Sequence, residues 1–391
     1  MESFDVIILG AGAAGLMCAL TAGQRGRRVL LLDHADRVGS KILISGGGRC
    51  NFTNLHTAPD RFISANPHFA KSALSRYTPA DFIALVDRHG ISWHEKTLGQ
   101  LFCDRSARDI VDMLLDECAK GDVDIRTRHA ILDIRRNDGF EVETTGGRFT
   151  APSLVLATGG PSIPKMGATR FAYDLARRFD LGIVEPHPAL VPLTLGKDIL
   201  AKVRPLAGVA AEAIVSCGRR SFREAVLFTH RGLSGPAILQ ISSYWRPGEA
   251  ISINLAPDTD IGILLREAKH ARPRAEPHTV LATVLPARLA QAIAAELGLK
   301  GPIANLPDKQ IDRIAARVNQ WRFVPMGTEG YAKAEVTAGG IDTTELSSKT
   351  MEARKVPGLY VIGEAVDVTG WLGGYNFQWA WSSGHCAGQA V

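Results

Sequence analysis

The chain has 391 residues, of which 46% are hydrophobic and 22% charged, and its formal net charge is +5. This composition excludes a disordered or collagen-like chain and leaves room for two or three domains around a sizeable core. Six scattered cysteines with no CxxC pair exclude a disulfide scaffold and a cysteine-bound metal. No metal site and no membrane span is expected, and a reduced, cytoplasmic protein fits best.

In chain order, "FDVIILG" predicts a strand buried on both faces, reached almost directly from Met1 with no signal segment before it. Gly10-Ala11-Gly12-Ala13-Ala14-Gly15 follows, then a helix ending at Gly26, then "RRVLLLD" as a second buried strand ending at Asp33. Strand, GxGxxG, helix, strand and acid in this order predict a dinucleotide-binding βαβ unit. Gly10 permits the tight turn, Gly12 lets a pyrophosphate approach the main chain, and Gly15 lets helix and strand pack closely. Asp33 is placed for the adenosine ribose hydroxyls. Cys18, inside the helix, reads as core.

The motif alone does not separate FAD from NAD, but later segments do. "SLVLATGG" predicts a strand that returns to the dinucleotide at Thr158 and Gly159. "GLYVIGEAVDVTGWLGGYNF" predicts a strand followed by Gly363, Glu364 and Asp367, then Gly373-Gly374 opening a helix near Tyr375 or Asn376. In glutathione-reductase-like FAD proteins such a segment supplies a carboxylate to the ribityl chain. Its helix turns a positive N-terminus towards the flavin pyrimidine edge. No second GxGxxG unit follows, so NAD(P)H is expected only as a transient reductant.

The stretches "GAGAAG", "KILISGGGRCNFTN", "ATGG", "LFTHRGLSGPAILQIS" and "TEGYAKAEVTAGGI", with the C-terminal glycine-rich segment, resemble the BaiN/RdsA family of NAD(P)/FAD-dependent oxidoreductases over essentially the whole chain. The resemblance implies an α/β, Rossmann-like FAD-binding domain interrupted by a β-barrel-like insert that carries a helical subdomain. The sequence divides accordingly: residues 1–190 and 346–391 for the FAD domain, 191–345 for the insert, and a helical stretch over about 257–322. Lys41, Gly46, Gly47, Gly48, Arg49, Cys50 and Asn51 then fall where the chain passes along the cofactor. Arg49 could balance phosphate charge, and Asn51 could bond the cofactor or fix the loop.

The resemblance also implies hydride transfer from flavin N5 to a carbon–carbon double bond, with the motifs closest to a branch that makes dihydrouridine in large-subunit ribosomal RNA. A small-molecule enone or amine is the alternative substrate. Uracil C5 would need a proton from a general acid. Cys103, on a loop entering the helix that Asp104 or Ser106 caps, and Cys50 are the candidates, with packing the competing reading for each. Ser234 reads as the cap of a helix begun by Pro236, a possible anion site beside His230 and Arg231. Two arginine-rich stretches, one with Arg126, Arg128, Arg135 and Arg136 and one with Arg219, Arg220, Arg223 and Arg231, read first as solvated faces of edge strands and could also meet RNA phosphates.

Overall fold

The computed structural model covers residues 1–391. Two compact units divide the chain, residues 1–187 with 336–391 and residues 188–335. The crossings therefore fall at 187/188 and 335/336, where the sequence reading set 190/191 and 345/346. The later difference has a local cause. Val336–Ile341 reads as insert strand, but it lies against Val184 and Glu185, and a Cβ at Gly339 would come 2.6 Å from the Glu185 carbonyl.

In the first unit, two aliphatic runs have no polar alternate residue to turn to water, so they belong inside a covered sheet. Val6–Leu9 (β1) and Val29–Leu32 (β2) are buried at every residue. Between them runs Ala13–Gly23 (α1). The helix stops before the expected Gly26, because the Arg27 N–H returns to the Ala22 carbonyl and Gly26 takes φ +82°.

The unit continues through Asn51–Asn54 (β3), Trp93–Glu95 (β4), Gln100–Cys103 (β5), Ala107–Lys120 (α2), Asp124–Arg126 (β6), Ser153–Leu156 (β7), Leu359–Val361 (β8) and Tyr375–Ala390 (α3). β8, β7, β1, β2 and β6 form a parallel sheet in that order. The chain builds outwards from β1 in both directions, so the crevice for a ligand lies beyond the carboxyl ends of β1 and β7. Gly10 and Thr158 follow just after those ends. β3, β5 and β4 make a separate antiparallel sheet.

The two ends of the chain meet through α1 and α3. A Cβ at Gly384 would come 2.5 Å from the Ala14 carbonyl, and one at Gly388 would come 2.7 Å from that of Cys18. Only glycine lets the two helix backbones pack at that range.

The second unit holds a seven-stranded antiparallel sheet. Its edge strands, Trp321–Phe323 and Gly327–Thr328, are consecutive in sequence. Four residue steps span at most about 14 Å, whereas seven flat strands would set their edges about 29 Å apart. The sheet must curl, which gives it the barrel-like form. Helices Ile261–Ala271, Pro277–Leu281, Ala287–Glu296 and Asp308–Asn319 lie between strands Ile251–Asn254 and Trp321–Phe323. No helix in the structure is long and apolar enough to cross a membrane.

Candidate functional site

The turn from β1 to α1 assigns each glycine a different job. Gly10 has φ +103°, and a Cβ there would come 2.6 Å from the Ala157 carbonyl. A Cβ at Gly15 would overlap the Gly10 carbonyl oxygen. A Cβ at Gly12 would meet nothing within 4 Å, so only there does the missing side chain leave open space. Gly12 is the N-cap of α1, and no side chain caps the helix. The first-turn amides, with Ala13 part-exposed and Ala14 buried beside them, are thus available to an anion. Asp33 accepts from Ala11 N–H at 2.7 Å and from Ala35 N–H at 2.8 Å, so it first holds the turn itself. Thr158 Oγ1, beyond β7, is buried without a hydrogen-bond partner, and Gly159 beside it has φ +70°. An open Gly12, uncapped amides and an orphaned hydroxyl fit a dinucleotide such as FAD.

Lys41 and Glu364, both expected at the cofactor, meet each other. Lys41 Nζ lies 2.7 Å from Glu364 Oε2 and donates to Ser162 Oγ at 2.6 Å. Glu364 Oε1 accepts from Ser162 Oγ at 2.7 Å and from Thr337 N–H at 2.9 Å. Burial works to raise the Glu364 carboxyl, but the Lys41 ammonium and these hydrogen bonds outweigh it and hold the pKa below the ordinary value. Gly363 is tied to α3, its N–H donating to Ser383 Oγ and its carbonyl accepting from Trp379 Nε1. Asp367 is buried and accepts from the Ala65 N–H at 2.8 Å, and burial raises its carboxyl.

The glycine loop has a conformational reason for its composition. Gly46, Gly47 and Gly48 take φ +57°, +67° and +85°, and Cys50 takes +51°. A Cβ at Gly46 would press on the Phe102 ring at 2.8 Å, whereas Gly47 faces open space. Arg49 is exposed and makes no ion pair.

Cys103 is not on a loop but ends β5, and its N–H donates to the Arg49 carbonyl at 2.9 Å. Both Cys103 and Cys50 have no exposed surface. Burial pushes the Cys103 thiol up to about 12, with Asp109 and Asp104 adding to the effect, and burial likewise raises Cys50. Both keep their protons at neutral pH, as an acid must, yet neither offers surface to a substrate carbon. Ser106 does cap α2, accepting from the Arg108 N–H at 3.1 Å.

Gly373 and Gly374 open α3 with φ +109° and +97°. A Cβ at Gly374 would overlap the Thr53 carbonyl. Asn376, expected at the cofactor, uses its amide to brace the preceding turn, accepting from Gly370 N–H at 2.8 Å and donating to its carbonyl at 2.9 Å. Tyr375 is buried edge-on to Phe62 and Trp371. Sequence reasoning missed Ser162, Thr337, Thr53, Asn54 and Gln378, which hold these groups from a distance. Ser162, next to the glycine turn of "ATGGPS", carried the only local signal.

In the second unit Ser234 does not cap the helix Pro236–Ser242. Gly235 takes the N-cap position, and no side chain caps that helix. Half of the arginines in the two basic stretches are neutralised. Arg126 pairs with Glu2 and Asp124, Arg135 with Asp133, Arg223 with Glu212 and Asp258, and Arg231 with Glu329. Arg128, Arg136, Arg219 and Arg220 have no acidic partner, and Arg220 sits over the Tyr244 ring at 5.2 Å.

The HI0933-like protein Rossmann domain family matches residues 4–390. The chain is 54% identical to the ribosomal RNA dihydrouridine synthase of Escherichia coli strain K12, over 100% of this chain and 98% of that protein. It is 45% identical to the protein of the same name from Haemophilus influenzae, over 98% of each. A 3-dehydro-bile acid delta(4,6)-reductase of Clostridium scindens is 29% identical over 98% of each chain. Among solved structures, a quinol-fumarate reductase with menaquinol molecules matches 100% of this chain and 70% of its own, with a TM-score of 0.50 and 15% identity, a likeness of fold. With its Rossmann-like parallel sheet and glycine turn, the chain belongs to the HI0933-like family, a family of flavoprotein oxidoreductases.

Proposed function

We propose that this protein reduces uridine to dihydrouridine in ribosomal RNA, with FAD as its cofactor and NAD(P)H as the source of electrons. The observation that carries the reading is 54% identity along the whole chain to a ribosomal RNA dihydrouridine synthase. The open backbone at Gly12 and the uncapped start of α1 support the cofactor assignment. When bound, FAD supplies a hydride to an activated carbon–carbon double bond.

The chain's own residues bind, orient and shield. The α1 amides and Gly12 would hold the pyrophosphate, and Asp33 has lone pairs left for a ribose. Thr158 Oγ1 would find its partner on the dinucleotide. Lys41, Ser162 and Thr337 fix the direction of the Glu364 carboxylate, which is anionic at neutral pH and so can accept from a hydroxyl. A uracil has to leave any stack to be reached, and Arg128, Arg136, Arg219 and Arg220 are the arginines of the two basic stretches with no acidic partner to compete with phosphates. Uracil C6 gains the hydride and C5 a proton. Because Cys103 and Cys50 have no exposed surface, a thiol could give that proton only after a local rearrangement uncovers it.

The test is to incubate the purified protein, FAD and NAD(P)H with ribosomal RNA lacking the modification, then analyse its nucleosides by mass spectrometry. A uridine that gains two hydrogens supports the proposal. Untouched RNA, with a small enone consumed instead, refutes it and leaves a small-molecule double-bond reductase.

A further inference from the structure

β3 is short, uncharged and mostly buried, yet each of its four residues bonds to α3 or to the glycines that open it. Asn51, its amide oriented to satisfy its neighbours, accepts from Gly374 N–H at 3.2 Å and donates to the Leu101 and Thr53 carbonyls. The Phe52 carbonyl accepts from Trp381 Nε1 at 2.8 Å. Thr53 Oγ1 donates to Gln378 Oε1 at 2.6 Å. Asn54 Nδ2 donates to the Gly373 carbonyl at 2.8 Å and to the Leu98 carbonyl at 3.1 Å.

The far side of the helix is fixed as well. Gln378 Nε2 donates to the Tyr77 carbonyl at 3.0 Å, and Trp381 stacks between Phe82 and Phe377 at 4.4 and 5.6 Å. Thr53, Asn54 and Gln378 are almost wholly inaccessible, so losing one partner leaves a buried polar group unsatisfied. The C-terminal half of α3 is already locked to α1 at Gly384 and Gly388. The β3 bonds therefore act on the other end. They prevent α3 from sliding or rotating where Gly373 and Gly374 bring the chain into it. The partial positive charge of a helix end acts only within about one turn, so small displacements there change its effect.

We propose that β3 is a positioning strand, in which Asn51, Thr53 and Asn54 set the aim of the α3 N-terminus and thereby tune the reduction potential of bound FAD. The inference rests on the flavin reading above. Asn51 takes the helix-opening N–H, Thr53 fixes the first turn through Gln378, and Asn54 ties Gly373 to the Leu98 turn. Leu98 has φ +54°, an uncommon state for leucine, so that turn is itself held in place by the same asparagine.

The experiment measures the midpoint potential of FAD bound to the full-length protein by reductive titration against a reference dye. Melting temperatures are recorded for the same samples. Asn51→Asp keeps an acceptor for Gly374 but adds negative charge at the helix end, and its potential should be more negative than wild type. Thr53→Val removes the donor to Gln378 and should shift the potential in the same direction, while Thr53→Ser should restore it. Wild-type potentials in FAD-loaded Asn51→Asp and Thr53→Val would overturn the proposal, even if both proteins melt earlier. Should Thr53→Val fail to fold, Asn51→Ala, which loses the Gly374 bond without adding charge, decides alone, because residue 51 is only half-buried. A wild-type protein that takes up no FAD is a different result, and it removes the flavin reading together with this inference.

Discussion

Replacing Gly12 with alanine separates the cofactor from the fold. The new methyl group would meet nothing within 4 Å, and Gly12 has φ −84°, a value alanine adopts freely. Alanine caps a helix less well than glycine, a cost of up to about 1 kcal/mol. Lost freedom in the unfolded chain returns about 0.4–1 kcal/mol. The two nearly cancel, and for a unit of this size the melting temperature of the cofactor-free protein should stay within about 3 °C of wild type. Binding should suffer instead. A methyl group that holds a pyrophosphate off the first-turn amides removes one or two charge-assisted hydrogen bonds, each worth about 1.5–3 kcal/mol. That is about a tenfold to ten-thousandfold loss of FAD affinity. Gly15→Ala is the control, because its Cβ overlaps the Gly10 carbonyl and should lower the melting temperature sharply. Thermal unfolding of the apoproteins with FAD titration followed by flavin fluorescence makes the comparison. Wild-type FAD affinity in Gly12→Ala, or an apoprotein as destabilised as Gly15→Ala, would refute the reasoning.

Other outcomes follow from single contacts. Because Cys50 and Cys103 have no exposed surface, Cys50→Ala and Cys103→Ala should retain most dihydrouridine formation in the mass-spectrometric assay, and loss of product from a folded, FAD-loaded variant would restore a thiol to the reaction. Lys41→Met should destabilise the protein by about 1–3 kcal/mol, less than a fully buried pair because both side chains keep some solvent. Combining it with Glu364→Gln should recover part of that loss in a chemical-denaturation cycle. Glu117 is bonded to Lys120, His89 and Gln24 at 2.6, 2.8 and 2.7 Å. Burial opposes these bonds but they prevail, holding its carboxyl at about 2 against an ordinary 4.5. The difference is worth at most about 3 kcal/mol. That stability is complete above pH 4.5 and drains away as pH falls towards 2, so Glu117→Gln should melt earlier at neutral pH and depend less on acid. If Arg219 and Arg220 hold single-stranded RNA phosphates, their double alanine variant should flatten the slope of log affinity against log salt by about 1.4.

The dinucleotide turn was legible in the sequence because its rules are local. A buried strand, three glycines at fixed spacing, a helix and an acid have to stand in order, and the structure puts a steric reason under Gly10 and Gly15 and open space at Gly12. The helical stretch of the second unit was legible for the same reason, since its periodicity lies within each segment. Partner choice was not. Lys41 and Glu364 are 323 positions apart, and nothing in their spacing says that they pair with each other. Asn376 carries the right chemistry for a cofactor, but the Gly370 and Trp371 backbone takes up its amide, and Asp367 gives one oxygen to the Ala65 N–H. Ser234 failed as a cap because Gly235, with φ +88°, already turns the chain into its helix. In "NFTN" the sequence offers a role for Asn51 alone, because uncharged residues in a short strand show no periodicity, and the partners of Phe52, Thr53 and Asn54 lie more than three hundred residues later.

The proposed activity requires one FAD held between the glycine turn of α1 and the start of α3. Titrating purified, cofactor-free protein with FAD, with free flavin separated by dialysis, tests that claim directly. One FAD retained per chain, with a flavin spectrum and a higher melting temperature, is the predicted result. A protein that stays colourless and melts at the same temperature in excess FAD would contradict it.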